Sequence, residues 1–108
     1  MEILELATLL GKTIKEDERV QKMQEATKAY ESNEALQAKI AEYNAQSAAL
    51  TEEYRKEQKD QEMIDAIQAR IESLYHTIVE NPILIAYNSA TEAANALMNE
   101  VNSEITFQ

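Results

Sequence analysis

Apolar residues along this chain recur three and four positions apart, the period of one face of an α-helix, from its first residues almost to its last. Ile3, Ala7, Leu10 and Ile14 open the pattern and predict an amphipathic helix. Gly11 lies inside it, where a glycine costs about 1 kcal/mol relative to alanine. A close helix crossing would repay that cost; a flexible point is the other reading. The acids Glu16, Asp17 and Glu18 suit the start of a second helical segment, because the positive end of the helix dipole welcomes negative charge. Val20, Met23, Thr27 and Tyr30 form the inner stripe of that segment, and Ser32 and Asn33 supply the next N-cap.

From Leu36 the spacing becomes a heptad seam: Leu36, Ile40, Tyr43, Ser47, Leu50 and Tyr54 alternate as a and d positions. The seam then meets Glu57 and Gln61 and fails. Residues 55–61, RKEQKDQ, are expected to form a turn or disordered break, with a continuous helix and solvated middle as the open alternative. Apolar positions resume at Ile64, Ile67, Ile71, Leu74 and Ile78. The pair Asn81-Pro82 follows. Asparagine is a preferred N-cap, and proline at the next position is preorganised for the first helical residue, where its missing N–H is not needed. The pair therefore ends one helix and starts another.

The last predicted helix runs from Pro82 to about Ile105. Tyr87, Ala90, Ala94, Leu97 and Val101 hold its a and d positions, and Leu84, Thr91, Met98 and Ile105 add a second row. This apolar sector is broader than one two-helix seam requires. Ala90, Ala93, Ala94 and Ala96 would allow close backbone approach. The helix is expected to touch its own chain on one side and a second copy on the other, a fully intrachain bundle being the alternative. The candidate interface comprises Leu84, Ile85, Tyr87, Ala90, Ala94, Leu97, Met98 and Val101. Asn81, Asn88, Asn95 and Asn102 make a further stripe, read as a solvated face or, alternatively, a recognition strip.

Composition narrows the picture. The chain has 108 residues with one glycine and one proline, too few to build the turns of an all-β fold. The fold class is therefore all-α, an antiparallel bundle of four to five helices ending in a long C-terminal helix. It is read as a single domain over residues 1–108 that pairs as a helical dimer. Net charge is −10, and no Lys or Arg follows Arg70. Phosphate backbones and anionic membrane surfaces both need a basic patch, so neither nucleic acid nor a membrane is an expected partner. The apolar runs fall short of the roughly 20 residues of a membrane span, and the acidic N-terminus does not suit a signal peptide. A cytoplasmic location is expected.

Chemistry is sparse. With no cysteine there is no disulfide or thiolate ligand, and no metal or other cofactor is expected. The Glu16–Glu18 cluster has no histidine or second acidic cluster beside it. His76, the one histidine, falls on the outward face of its helix without a partner to make it a general base. Glu52 and Glu53 are adjacent, but neighbouring helical residues diverge. An enzyme is not expected. Val79 and Ile85, apolar and outward near the Asn81-Pro82 corner, are candidates for a contact surface.

Three stretches together, LATLLGKTI, ATKAYESNEALQAKIAEYNAQSAAL and ENPILIAYNSATEAANALMNEVNSEI, resemble the YlbF/YmcA family of small helical bacterial regulators. The likeness is strongest at Leu10-Gly11, at the SNEAL cap and from Asn81 through the last helix. It implies an all-α protein that dimerises or assembles further and that regulates competence, sporulation or biofilm formation in Gram-positive bacteria. Some relatives belong to a complex that engages a membrane-associated ribonuclease and is linked to cysteine-ligated iron–sulfur clusters. A chain without cysteine cannot ligate such a cluster that way, so this property is not carried over. The expected function is a non-enzymatic regulator or adaptor acting through protein contacts, with a structural module of a phage or secretion assembly as the alternative.

Overall fold

The computed structural model describes residues 2–106. They form five α-helices in the order α1 (Ile3–Glu16), α2 (Glu18–Ser32), α3 (Glu34–Arg55), α4 (Gln61–Val79) and α5 (Pro82–Ile105), with no strand among the described residues. The protein is all-α. Two compact units divide it, one made of residues 1–29 and 86–108, the other of residues 30–85.

Short polar side chains set the helix boundaries, as a chain so poor in glycine and proline requires. Asp17 takes extended backbone between α1 and α2, and its carboxylate accepts the Arg19 backbone N–H at 2.8 Å. Asn33 accepts from the Leu36 N–H at 2.8 Å and starts α3, and Asp60 accepts from the Met63 N–H at 3.2 Å and starts α4. Asn81 accepts from the Ile83 N–H at 2.8 Å, which places Pro82 in the first turn of α5. Each cap satisfies an N–H that has no partner inside its helix.

In the unit spanning residues 30–85, α3 and α4 run antiparallel. Their direction shows in two cross-helix pairs: Tyr54 near the end of α3 receives Gln68 Nε2 at 2.9 Å, while Glu42, earlier in α3, pairs with Arg70, later in α4. Leu36, Ile64, Ile67 and Leu74 are buried there, and Ile40, Tyr43, Ser47, Leu50, Ile71 and Ile78 are half-buried. Burying a side chain such as Leu74 contributes about 1.5–3 kcal/mol. Lys56–Asp60 form the loop between α3 and α4, so the polar stretch is a turn and not continuous helix.

One seam position differs from expectation. Tyr54 is about half exposed, whereas Glu53 is buried. Tyr54 keeps its hydroxyl at the edge, where Gln68 reaches it, and Glu53 follows Leu50 by three residues onto the inner face. Lys56 Nζ donates to the Glu53 carboxylate at 2.9 Å and supplies the countercharge that burial demands. The same hydrogen bond holds the Lys56 amine above its ordinary pKa range.

In the unit of residues 1–29 and 86–108, Val20 of α2 and Ala94 of α5 are buried, and Met23, Ala26 and Thr27 are half-buried. The C-terminal part of α1 contributes half-buried Leu10 and Ile14. The close crossing expected at Gly11 is absent within the chain: a Cβ built there meets no neighbour within 4 Å. Gly11 has no positive φ and no steric need for its missing side chain. Gly11→Ala is therefore expected to stabilise the protein by about 0.5–1 kcal/mol through helix propensity, read as a higher denaturant midpoint with an unchanged slope.

Candidate functional site

Exposed apolar side chains are the most distinctive features of the surface, and each is set by helix register. On α5 the expected a and d positions face inward: Ala94 is buried, and Tyr87, Ala90, Leu97 and Val101 are half-buried. Met98 is exposed in the same unit. In the other unit Leu84 is half-buried and Ile85 is 54% exposed. Ala94 is thus covered within a single chain, whereas Ile85 and Met98 remain open. Asn88, Asn95 and Asn102 lie on the exposed side, and Asn81 is a half-buried cap.

Three shallow grooves accompany these faces. One of about 620 Å³ lies between α2 and α5, with Arg19, Lys22 and Glu25 opposite Ala86, Ala90 and Ala93. The small residues of α5 do leave room, and the facing wall is charged. A second, of about 510 Å³, is lined by Leu10 of α1 and by Leu97, Val101 and Ile105 of α5, together with Glu100 and Glu104. A third, of about 290 Å³, sits on the α3–α4 hairpin between Ile40, Tyr43 and Asn44 and Tyr75, Ile78 and Val79. Val79, singled out from the sequence, belongs to this last groove. The placement of Arg19 and Lys22 on the charged wall of the first groove was missed by sequence reasoning, although the lack of any base after Arg70 signals that cations facing α5 come from earlier helices. The large exposure of α1 was also missed; Leu4, Leu6 and Leu9, all off the inner stripe, carried that signal.

The polar groups do not assemble a reaction centre around His76. Its Nε2 lies 3.9 Å from Glu72, beyond hydrogen-bond distance, and its ring meets Tyr75 edge-on at 5.8 Å. Asp17 is engaged by Arg19, and among the described residues no three His, Cys, Asp or Glu side chains gather closely enough to hold a metal. No helix among the described residues is long and apolar enough to cross a membrane.

Two local features yield measurable consequences. Hydroxyls of Thr8, Thr13, Thr27, Thr51 and Thr77 each donate to the carbonyl four residues earlier. The Thr91 hydroxyl, by contrast, is buried without a partner. Replacing a buried unpaired hydroxyl by a methyl removes its desolvation penalty, so Thr91→Val is expected to raise stability by about 1 kcal/mol in a denaturant titration. The Asp17 and Glu42 carboxyls are held below the ordinary range, chiefly by side-chain hydrogen bonds from Arg19 and Arg70 respectively. A depressed folded pKa favours folding fully above the unfolded value of about 4 and loses that contribution as pH falls through the folded value. Asp17→Asn and Glu42→Gln are each expected to flatten the loss of thermal stability below about pH 4, and a melting series against pH reads it.

No curated protein and no solved structure matches the chain. A family model does, described as "Control of competence regulator ComK, YlbF/YmcA", and it spans residues 3–108. That match covers the opening helix, the caps at Asn33 and Asn81 and the last helix, the same stretches in which the sequence likeness resides. The chain belongs to the Com_YlbF family, and its role is regulatory.

Proposed function

We propose that this protein is a non-enzymatic regulatory adaptor of a Gram-positive bacterium, acting in the cytoplasm through protein contacts made by helix faces. Its family, concerned with control of the competence regulator ComK, supports the regulatory part. The observation that carries the adaptor part is the exposure of large apolar side chains at regular helix positions, Met98 on α5 and Tyr75 and Val79 on α4 among them. An exposed apolar patch on a soluble protein marks a place where another surface binds. Contact residues of this kind need no reactive group; shape and the removal of apolar area from water suffice.

In this reading residues 1–108 work as one domain that self-associates. The α5 set of Leu84, Ile85, Tyr87, Ala90, Ala94, Leu97, Met98 and Val101 supplies the contact residues, and its exposed members, Ile85 and Met98, lie on different sides of the helix. Charge shapes the choice of partner. Since α5 carries Glu92, Glu100 and Glu104 and no base, a protein surface bearing Lys or Arg around an apolar centre fits it best.

The test is genetic and structural together. In the native host, deletion of the gene is expected to change expression from a ComK-dependent promoter several-fold. The wild-type chain should restore it, and the double variant Ile85→Glu, Met98→Glu should not, while keeping its helical circular dichroism. Unchanged promoter activity on deletion would remove the regulatory reading; full restoration by the double variant would remove these side chains from the contact.

A further inference from the structure

Helix α1 buries no side chain, although it is the most amphipathic part of the chain. Ile3 is 83% exposed and Leu4 72%, and Leu6 and Leu9 are about half exposed. A helix of 14 residues is marginal in water on its own, and most helical stability in proteins comes from packing an apolar face. Its outward register is regular. Glu2, Leu6, Leu9 and Thr13 follow one another at steps of four, three and four residues and so share one face, distinct from that of Ile3, Ala7, Leu10 and Ile14, of which Leu10 lines a groove with α5.

We propose that this outward face is a self-association surface, on which α1 packs antiparallel against α1 of a second copy. The inference rests on the reading that the protein self-associates, and it places that contact on α1. Three features favour a second copy as the occupant. The charges of α1 run from acid to base before Glu16 closes the helix: Glu2, its N-cap, and Glu5 lie at its start, Lys12 and Lys15 toward its end. If Leu6 and Leu9 occupy a and d positions, Glu5 and Lys12 both become g positions. In an antiparallel pair, g residues of the two helices face each other, so Glu5 meets the partner's Lys12 and Lys12 meets the partner's Glu5. A parallel pair would instead set Glu5 beside the partner's Leu10, an e position, where it meets no countercharge.

The core of the pair follows from the same register, with Leu6 against the partner's Leu9 and Leu9 against the partner's Leu6. This is the self-complementarity that a two-fold interface requires. On the other flank Ile3 stands beside the partner's Leu10, at the groove of about 510 Å³ that Leu10 lines with Val101 and Ile105. The most exposed large apolar side chain thereby has an apolar seat. Among the described residues neither Glu5 nor Lys12 has an ion-pair partner in its own chain, which leaves both open to this exchange. An anionic membrane is a poorer occupant for the same face, because Glu2, Glu5 and Glu16 flank it and the chain carries a net charge of −10.

The experiment uses the full-length chain and mass measurement by light scattering or sedimentation. Wild type is expected to exceed the monomer mass at micromolar concentration. The variant Leu6→Glu, Leu9→Glu should run as a monomer with unchanged helical circular dichroism, since neither side chain is buried in the single chain. Glu5→Lys alone and Lys12→Glu alone should each weaken self-association about tenfold, because every g contact then joins like charges. Mixing the two single variants should restore a mixed dimer, since both cross-contacts become opposite in sign. A wild-type monomer would overturn the self-association reading and this inference with it. A wild-type oligomer indifferent to Leu6→Glu, Leu9→Glu would overturn this inference alone and leave α5 as the contact. A mixture that fails to pair would overturn the antiparallel register.

Discussion

Scarcity of interior is the constraint on which the structure turns. Among the described residues only six apolar side chains are buried, Val20, Leu36, Ile64, Ile67, Leu74 and Ala94, and four of them belong to residues 30–85. A chain with one aromatic beyond its tyrosines, and those mostly at edges, has no bulky residues with which to fill a wide core. The α3–α4 hairpin resolves this by lining up aliphatic residues along a narrow seam, so that each buried side chain serves both helices. Its polar edge is equally economical: Arg70 clamps Glu42 and Gln68 reaches Tyr54 across the hairpin.

The same scarcity governs the helix ends. Where other proteins use glycine to stop a helix, this one starts the next helix with Asp17, Asn33, Asp60 or Asn81, each accepting a backbone N–H from the first turn. Capping by short polar side chains contributes about 0.5–2 kcal/mol per site, a large share for a molecule with so thin a core. It also fixes helix lengths, which decides which apolar residues lie inside the seam and which are left over. The leftovers lie on α1, on the α4 side of the hairpin and on α5.

The candidate site was legible in part. Inward positions of α5 follow directly from spacing, because helical period and burial are linked wherever one face is covered. Spacing could not say what covers them. Ala94 is enclosed by its own chain, while Met98, only four residues on, stays exposed. Exchanging Tyr54 for Glu53 at the end of the α3 seam was beyond periodicity too, since it depends on Lys56 folding back to neutralise a buried acid. Gly11 is the sharpest divergence: a glycine in a helix suggests a neighbour, and within one chain the space beside it is empty.

Sequence alone determined the helical class, the order of the helices and the caps at Asn33 and Asn81, because each of these is a local property written in spacing, propensity and side-chain hydrogen bonding. The break after α3 it left open between a turn and continuous helix, and the structure makes Lys56–Asp60 a loop. Family membership was legible for the same reason, its signature being capping and packing positions in order along the chain. Tertiary structure decided which apolar faces are consumed in folding and which remain in water. That outcome depends on how long side chains from distant helices meet, and a one-dimensional pattern, identical for a buried stripe and an exposed one, does not carry it.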